Sequence, residues 1–535
     1  MSQLGSIVDG LDATCKSEGS EQDAWKTAPP ESAEIERTIH EHVKGILEFL
    51  RKPDPARSFD AVERGLVPLV FALGRLFLAF FLAWREEHSK AELRCWAKRG
   101  FRRRRLQSKH LGTFFGKVRY WRTYMTDESS SGLYPLDLAL GISRDGFSLV
   151  VLDLAARLAT VVSFDQVTVL MRLFLGWSPS KTSVEKMVLG LGKHTGEWFR
   201  EAPPPADDGE VLIVQVDSKA TPTATEAELQ KRRGKRRPNP FPESPRHRGR
   251  DARRRRGPKS RRKKGDKSKN GKAAHLVVMY TLKRGLSPDG KPALLGPRNR
   301  KVYASYTSKR HAFEVARREA QKRGFPNGTG KLVQLITDGD EDLERLGKEF
   351  FPQAIHTLDV MHAMEYLWEA GACLFKEGSR ELATWVKKLE KLLYRGKVFQ
   401  VLGALAAKLE AIPKTGPGNK GRRGRLEKAL EYLYKRTEMM NYAWLKAQDL
   451  ELSSGSVEGA VKHVIAKRFD SGSMRWIRER AEALLQLRAI EINGDWRAFI
   501  RSVHEKMTAQ ARREAQAPVI LSLTAAPLPT SAKSA

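Results

Sequence analysis

Three short stretches of the chain, VLIVQVD (211–217), LVQLITD (332–338) and AIHTLD (354–359), are apolar almost throughout and each closes on an aspartate. Short apolar runs bounded by polar residues predict buried strands. In α/β sheets the side chains at the carboxyl ends of strands face the crevice where ligands bind, so acids at three strand ends predict one negative cluster. Taken singly, each aspartate also reads as the cap of a turn or of the next helix. Strand signals at AAHLVVMYTL (273–282) and KVYASYTS (301–308), with a helical stretch at 309–323, supply the rest of a mixed sheet.

A fourth carboxylate lies far downstream, in SSGSVEGAVKHVIAKRF (453–469). As a helix, this segment puts Glu458, Val461, Ile465 and Phe469 on one stripe. A carboxylate in the first turn of an apolar stripe is costly unless a cation meets it; alone, it also reads as a glutamate favoured by the positive end of a helix. Mg²⁺ is a hard ion that takes oxygen ligands, and two or three carboxylates hold a metal pair against phosphate oxygens. One ion then activates the attacking oxygen and the other stabilises the leaving one. The expected chemistry is phosphoryl transfer or cleavage on DNA, dependent on two Mg²⁺ or Mn²⁺ ions, on an RNase H-like sheet.

Charge supplies the substrate class. The 535 residues carry 96 Lys and Arg against 63 Asp and Glu, a formal charge of +33 and a sequence pI near 10.1. Such an excess favours a polyanion, nucleic acid before an acidic membrane. Between 231 and 272 stand 21 Lys and Arg against Glu243, Asp251 and Asp266, more than half of the whole excess. This stretch is too charged and too rich in Pro and Gly to fold alone, and is expected to be a mobile phosphate-binding insertion between strands; a solvated spacer is the bland alternative. Neutralising Arg253, Arg254, Arg255 and Arg256 with Arg261, Arg262, Lys263 and Lys264 is expected to weaken DNA binding and flatten its salt dependence, measured as the slope of log affinity against log salt. An unchanged slope would leave the stretch a spacer.

Other segments are less specific. Arg102, Arg103, Arg104 and Arg105 precede an alternating stretch, Thr113 to Tyr124, that reads as a hairpin with basic faces. Residues 147–199 read as three helices. Ser163 with Gln166 has capping-box spacing, Gly176 closes the second helix, and Ser178-Pro179 opens the third near an exposed Lys181. They are expected either to form a helix-turn-helix or to serve as a plain connector. His362 shares a helical face with Glu365 and Glu369, the mark of a hydrogen-bonded face or of a metal site. Lys462, Lys467 and Arg468 are candidate phosphate contacts, and Trp476 reads equally as a base-stacking residue or an anchor. VPLVFALGRLFLAFFLAW (67–84) approaches the length of a membrane span, but Arg75 at its centre favours a buried helix or a helical dimer seam. Cys15, Cys95 and Cys373 stand too far apart in sequence for a C-x-x-C pair, so no structural zinc is expected. Without a signal-peptide pattern, the expected location is the cytoplasm of a bacterium, on the nucleoid.

VQVDSKATPTATEAELQKRRGKR, LITDGDEDL, HTLDVMHAMEYLW and GSVEGAVKHVIAKRFDSGSMRW stand in that order, and upstream lie HLGTFFGKVRYWRTYM and GLYPLDLALGI. In these stretches, which span most of residues 95–490, the chain resembles insertion-sequence transposases of the ISKra type, within the Mutator-like group of DDE transposases. The resemblance implies that Asp217, Asp338 and Glu458 are the metal-binding and catalytic acids. It makes Asp359 with His362 the supporting [C/D]-x-x-H element. It also implies that the helical run after Met361 is an insertion within an RNase H-like fold. Asp340 is an alternative to Asp338 and reads as the cap of the following helix. Relatives commonly carry cysteine pairs near GTFFGKV; here only Cys95 remains, and the arginines of 98–105 are expected to hold that region on DNA without metal.

The expected fold is therefore multidomain α+β. A disordered lead (1–35), a helical region (36–94), a basic strand-containing region (95–145) and a three-helix region (146–203) precede an RNase H-like α/β core (204–360). A helical insertion (361–450), the returning helices of the core (451–500) and a short helix with a disordered tail (501–535) follow. The expected partners are double-stranded DNA, at element ends and target, and further copies of the chain in a synaptic complex, with no membrane. The rival expectations are a non-catalytic, domesticated DNA-binding protein and an RNase H-like nuclease that cleaves without joining.

Overall fold

In a computed structural model the protein is a mixed α+β chain, described over residues 29–54, 56–128, 132–227, 230, 271–325, 330–470 and 476–516. The insertion arginines and lysines at 253–256 and 261–264 lie outside the described residues. The chain divides into two compact units, one of residues 1–155, 164–184 and 500–535, the other of 156–163 and 185–499.

In the first unit, α1 (Ser32–Arg51) and α2 (Phe59–Glu87) pack together, followed by α3 (Lys90–Ala97). A hairpin of β1 (Arg102–Thr113) and β2 (Gly116–Thr126) carries the short β3 (Gly132–Leu133) on its edge, and α4 (Pro135–Leu140) packs on β2. The hairpin is longer than the alternation predicted, because the arginine run is itself strand: Arg102 pairs with Thr126 and Thr113 with Gly116 across a two-residue turn. Arg102 to Arg105 are exposed, with Arg104 held to the Thr126 hydroxyl at 2.6 Å. Leu82, Leu111, Val118, Tyr120 and Leu136 form the core. Beside it the buried Asp137 pairs with Arg122 and accepts from the Tyr120 hydroxyl at 2.7 Å.

The segment expected to be a buried helix is only partly so. Helix α2 is long and apolar enough to cross a membrane, and 17% of its most apolar window is buried. One face meets α1 and another meets β2, while Arg75 donates to the Phe115 carbonyl at 3.1 Å. A third face leaves Val67, Val70, Phe77, Phe81 and Trp84 exposed.

The three expected helices are α5 (Leu149–Val161), α6 (Phe164–Leu175) and α7 (Lys181–Gly192). Gly176 ends α6 at φ +74°, as expected of a residue that closes a helix. The cap of α7 is Ser180 rather than Ser178, since the Ser180 hydroxyl accepts the Ser183 N–H at 3.1 Å. Lys181 is exposed beside it.

The second unit, after α8 (Thr195–Glu201), is built on a mixed sheet of β4 (Val211–Ala224), β5 (Gly271–Leu286), β6 (Pro292–Ser305), β7 (Leu332–Thr337) and β8 (Ile355–Leu358). Their order is β6-β5-β4-β7-β8, antiparallel on the β5 and β6 side and parallel from β4 through β7 to β8. Strand β4 lies between the two halves, which is why its first six residues are buried and apolar apart from Gln215. Helices α9 (Lys309–Lys322) and α10 (Glu341–Phe350) connect β6 to β7 and β7 to β8.

An all-helical stretch follows β8: α11 (Val360–Gly371), α12 (Arg380–Tyr394), α13 (Val398–Glu410), α14 (Asn419–Tyr434) and α15 (Tyr442–Ala447). Leu367, Leu389, Leu405, Leu426 and Leu433 are among its buried residues. The basic, glycine-rich segment 415–425 enters α14 at Asn419. The chain then returns to the sheet through Glu451–Ser454 into a helix, Gly455–Ala460, that widens to a π-helical turn at Val461–Ala466 and ends in Lys467–Phe469. The widened turn frees the His463 and Val464 carbonyls for the buried Arg488 guanidinium. Trp476–Ile477 forms β9, parallel to Thr223–Ala224, and is followed by α16 (Arg478–Ile492) and α17 (Trp496–Gln516).

Candidate active site

Strand register brings the predicted acids level. The parallel ladder of β4 with β7 ends at Gln215 opposite Ile336, so Asp217 and Asp338 each lie two residues beyond the same rung. The ladder of β7 with β8 ends at Thr337 opposite Leu358, and Asp338 and Asp359 are the next residues. Asp217 does not close its strand, as the sequence suggested: β4 runs on to Ala224 against β5. It is the parallel pairing that stops there, which opens the crevice on the β7 side.

Glu458 reaches this crevice through a set of buried side-chain clips. Gln215 donates to the Ser453 carbonyl at 3.3 Å and accepts the Val457 N–H at 2.9 Å. On β7, Gln334 donates to the Glu451 carbonyl at 2.7 Å and accepts the Glu451 N–H at 3.1 Å. After β8, the Val360 N–H donates to the Leu452 carbonyl, and the Ser454 hydroxyl donates to Asp359 at 2.5 Å. Three neighbouring strands therefore grip the segment just before the Glu458 helix. Glu458 itself is exposed, while Val457, Ala460, Val464, Ile465 and Phe469 are buried. The expected stripe is displaced because the π-helical turn breaks the regular spacing.

Asp359 is fully buried and hydrogen-bonded on both oxygens. It caps α11 through the Met361 N–H at 2.9 Å and accepts from His362 Nδ1 at 2.8 Å as well as from Ser454. Burial opposes its charge, but the His362, Ser454 and Met361 hydrogen bonds overcome that and lower its pKa. The Asp359 hydrogen bond, against partial burial, raises His362 to about 9, with Asp359, Asp338 and Glu365 adding to the pull. A charged imidazolium thus stands among the carboxylates at neutral pH. Asp217 shifts the other way: burial raises its pKa, the Ser218 N–H lowers it, Asp338 and Glu458 raise it further, and His362 lowers it.

Asp359, His362 and Glu458 each offer a ligand atom within 4.8 Å of the others. With both Asp359 oxygens already occupied and His362 held as its charged partner, these two residues fit a bracket better than a ligand pair. The exposed Glu458 and the partly buried Asp217 and Asp338 lie near enough for Asp338 and Glu458 both to oppose the charge of Asp217. Their mutual repulsion and their hard oxygen donors fit a divalent cation. Compared with protein-family models and with curated proteins, the chain matches none.

The turn after β7 separates the two aspartates of LITDGD. Asp340 caps α10, accepting from the Asp342 and Leu343 N–H groups, and pairs with Lys309 at 2.6 Å. Burial opposes its charge, yet Lys309 and these N–H groups lower its pKa. Gly339 between them has φ +81°, and a Cβ there would lie 2.2 Å from the Tyr432 hydroxyl. The helical stretch after β8 braces this turn: Tyr432 donates to the Asp338 carbonyl at 2.7 Å, and the buried Arg436 donates to the Gly339 carbonyl at 2.7 Å while pairing with Glu344. Arg436→Met is expected to cost about 3–5 kcal/mol of stability, because it leaves a partly buried glutamate and a carbonyl unpaired. Denaturant unfolding followed by circular dichroism measures it.

Two of the expected DNA contacts are corrected. Arg468 is buried, lies 4.6 Å from the centre of the Trp476 ring and donates to the Ala159 carbonyl at 3.0 Å; burial lowers its pKa to about 10. Trp476 is buried against Phe469, with ring centres 5.1 Å apart, so it anchors β9. Lys462 and Lys467 are exposed. Gln215 and Gln334 escaped the sequence reading, although a glutamine inside each of two otherwise apolar strands was their signal.

Proposed function

We propose that this protein is a DNA transposase of the DDE type, which binds the ends of its own element, cleaves a strand and joins the freed 3′-hydroxyl to target DNA. The observation that carries the reading is the convergence of three carboxylates: Asp217 and Asp338 lie level, each two residues past the last rung of the β4–β7 ladder, and Glu458 acts on Asp217 from a helix that returns 120 residues after Asp338. The strand order β6-β5-β4-β7-β8, with only the β5 and β6 side antiparallel, supports an RNase H-like core. The long helical stretch between β8 and the Glu458 helix fits an insertion in such a core.

In this reading Asp217, Asp338 and Glu458 hold two divalent ions, Mg²⁺ or Mn²⁺. Bound there, such ions supply activation of the attacking oxygen and stabilisation of the leaving one. The chain's own part is positioning. Asp359 holds His362 by one oxygen and Ser454 by the same oxygen, which fixes a positive charge beside the acids and anchors the start of the Glu458 helix. The cationic surfaces, including the exposed Arg102 to Arg105, hold the polyanion that the acidic centre repels. Synapsis of two ends brings in further copies of the chain.

The test is a strand-transfer assay on DNA from the flanks of the gene, with Mg²⁺ or Mn²⁺. Cleavage followed by joining, both lost on chelation, is the expected result. Cleavage without joining would replace the reading with a nuclease, and binding without cleavage would replace it with a non-catalytic DNA-binding protein.

A further inference from the structure

We propose that the exposed ridge of α14 bearing Arg422, Arg425 and Lys428, each three residues from the next, is a DNA-backbone track, along which one strand runs away from the Asp217–Asp338 site. The inference rests on the reading of that site as acting on DNA, and adds a contact made by the helical insertion.

Charge is segregated on α14. Leu426, Ala429 and Leu433 are buried, while Glu427, Leu430, Glu431 and Tyr434 line an apolar groove shared with α13. Arg425, Lys428 and Tyr432 follow one another at spacings of three and four residues on a different face. Tyr432 ties this face to the candidate site: it stacks on Tyr366 of α11 with ring centres 3.7 Å apart, and its hydroxyl holds the Asp338 carbonyl. The Lys428 ammonium lies 5.4 Å from the centre of the same Tyr366 ring. Moving along α14 from the Asp338 turn, a strand meets Lys428, then Arg425, then Arg422.

These cations differ from their neighbours. Arg423 is spent on the Leu409 and Ile412 carbonyls, which it holds at 2.8 and 2.7 Å, and Arg436 is buried in the Gly339 turn. Arg422, Arg425 and Lys428 are exposed and make no ion pair among the described residues; Arg425 reaches only its own helix, at the Gly421 carbonyl. Exposed acids stand on both helices: Glu365 and Glu369 on the facing side of α11, and Glu427 and Glu431 of α14 itself, which line the groove shared with α13 instead.

Gly421 and Gly424 are the second sign. Glycine is the poorest helix former after proline, yet a Cβ at either position would enter open space, so no packing within the chain requires them. Bare helix backbone between arginines suits the close approach of a sugar-phosphate backbone. A helical turn rises about 5.4 Å and one DNA strand rises about 3.4 Å per phosphate. Successive cations on α14 therefore meet phosphates one or two nucleotides apart.

The test measures binding of a fluorescent random-sequence duplex to the full chain over a range of salt. Arg425→Gln with Lys428→Gln is expected to weaken binding about tenfold at low salt and to reduce the slope of log affinity against log salt by roughly two units. Lys387→Gln with Lys388→Gln, which removes the same charge from exposed positions of α12, is expected to change the slope far less. Gly424→Ala is expected to raise the thermal midpoint while weakening DNA binding, opposite signs that a purely structural glycine would not give. If the α14 double variant binds and cleaves like the parent, or no differently from the α12 control, the track is overturned and the transposase reading stands. A parent chain without affinity for the duplex overturns both.

Discussion

Asp217→Asn and Glu458→Gln each yield a folded chain that binds DNA and has lost strand cleavage and transfer; this is the expected result. Asp217 sits where burial and two like charges already disfavour its ionised form. A neutral amide of the same shape relieves that repulsion, so the thermal midpoint should hold or rise, as is common when a site residue is removed. Activity moves the other way. Losing a partner that merely supports a metal ligand costs about 10–100-fold, and losing a ligand should cost more than that. Asp340→Asn is the control for the neighbouring acid: asparagine caps a helix as well as aspartate does, so the change should cost only the partly exposed Lys309 pair, about 0.2–1 kcal/mol, and leave cleavage in place. Cleavage assays in Mg²⁺ and Mn²⁺, with thermal unfolding of each variant, separate the two behaviours. Full activity in either Asp217→Asn or Glu458→Gln would sink the assignment of these acids.

The strands of the sheet were legible because burial on both faces leaves an unmistakable apolar run, and Asp340 as a helix cap was legible because capping is local chemistry. Features set by distant parts of the chain were not. Asp217 looked like a strand end, since nothing near it in sequence reveals that β5 continues beside β4 after β7 has stopped. Glu458 looked like part of a buried stripe because the reading assumed regular helical spacing; the π-helical turn at Val461–Ala466 answers to Arg488, whose guanidinium takes two of its carbonyls. Arg468 carried the sign of a phosphate contact, but charge alone does not tell an exposed guanidinium from one whose partners are an indole and a carbonyl. The exposed apolar face of α2 was hidden for the same reason, as periodicity counts apolar residues without saying which face meets a neighbour.

Gln215→Leu should damage the site more than it damages the fold. Leucine matches the apolar neighbours Val214 and Val216, so the strand itself should survive. What disappears is the clip on the returning segment: the Ser453 carbonyl loses its side-chain donor, whereas the Val457 N–H keeps the Ser454 carbonyl. One buried carbonyl left unpaired costs about 1–3 kcal/mol. Glu458, one residue after Val457, loses part of what fixes it opposite Asp217, and supporting contacts of this kind are worth about 10–100-fold in metal affinity or activity. The metal concentration for half-maximal cleavage is therefore expected to rise along with the loss of rate. Val278→Ala, a truncation in the buried core of β5, gives a comparison with lost stability and an untouched clip. If the two variants need the same metal concentration once matched for the fraction folded, Gln215 contributes only to stability and the docking of Glu458 lies elsewhere.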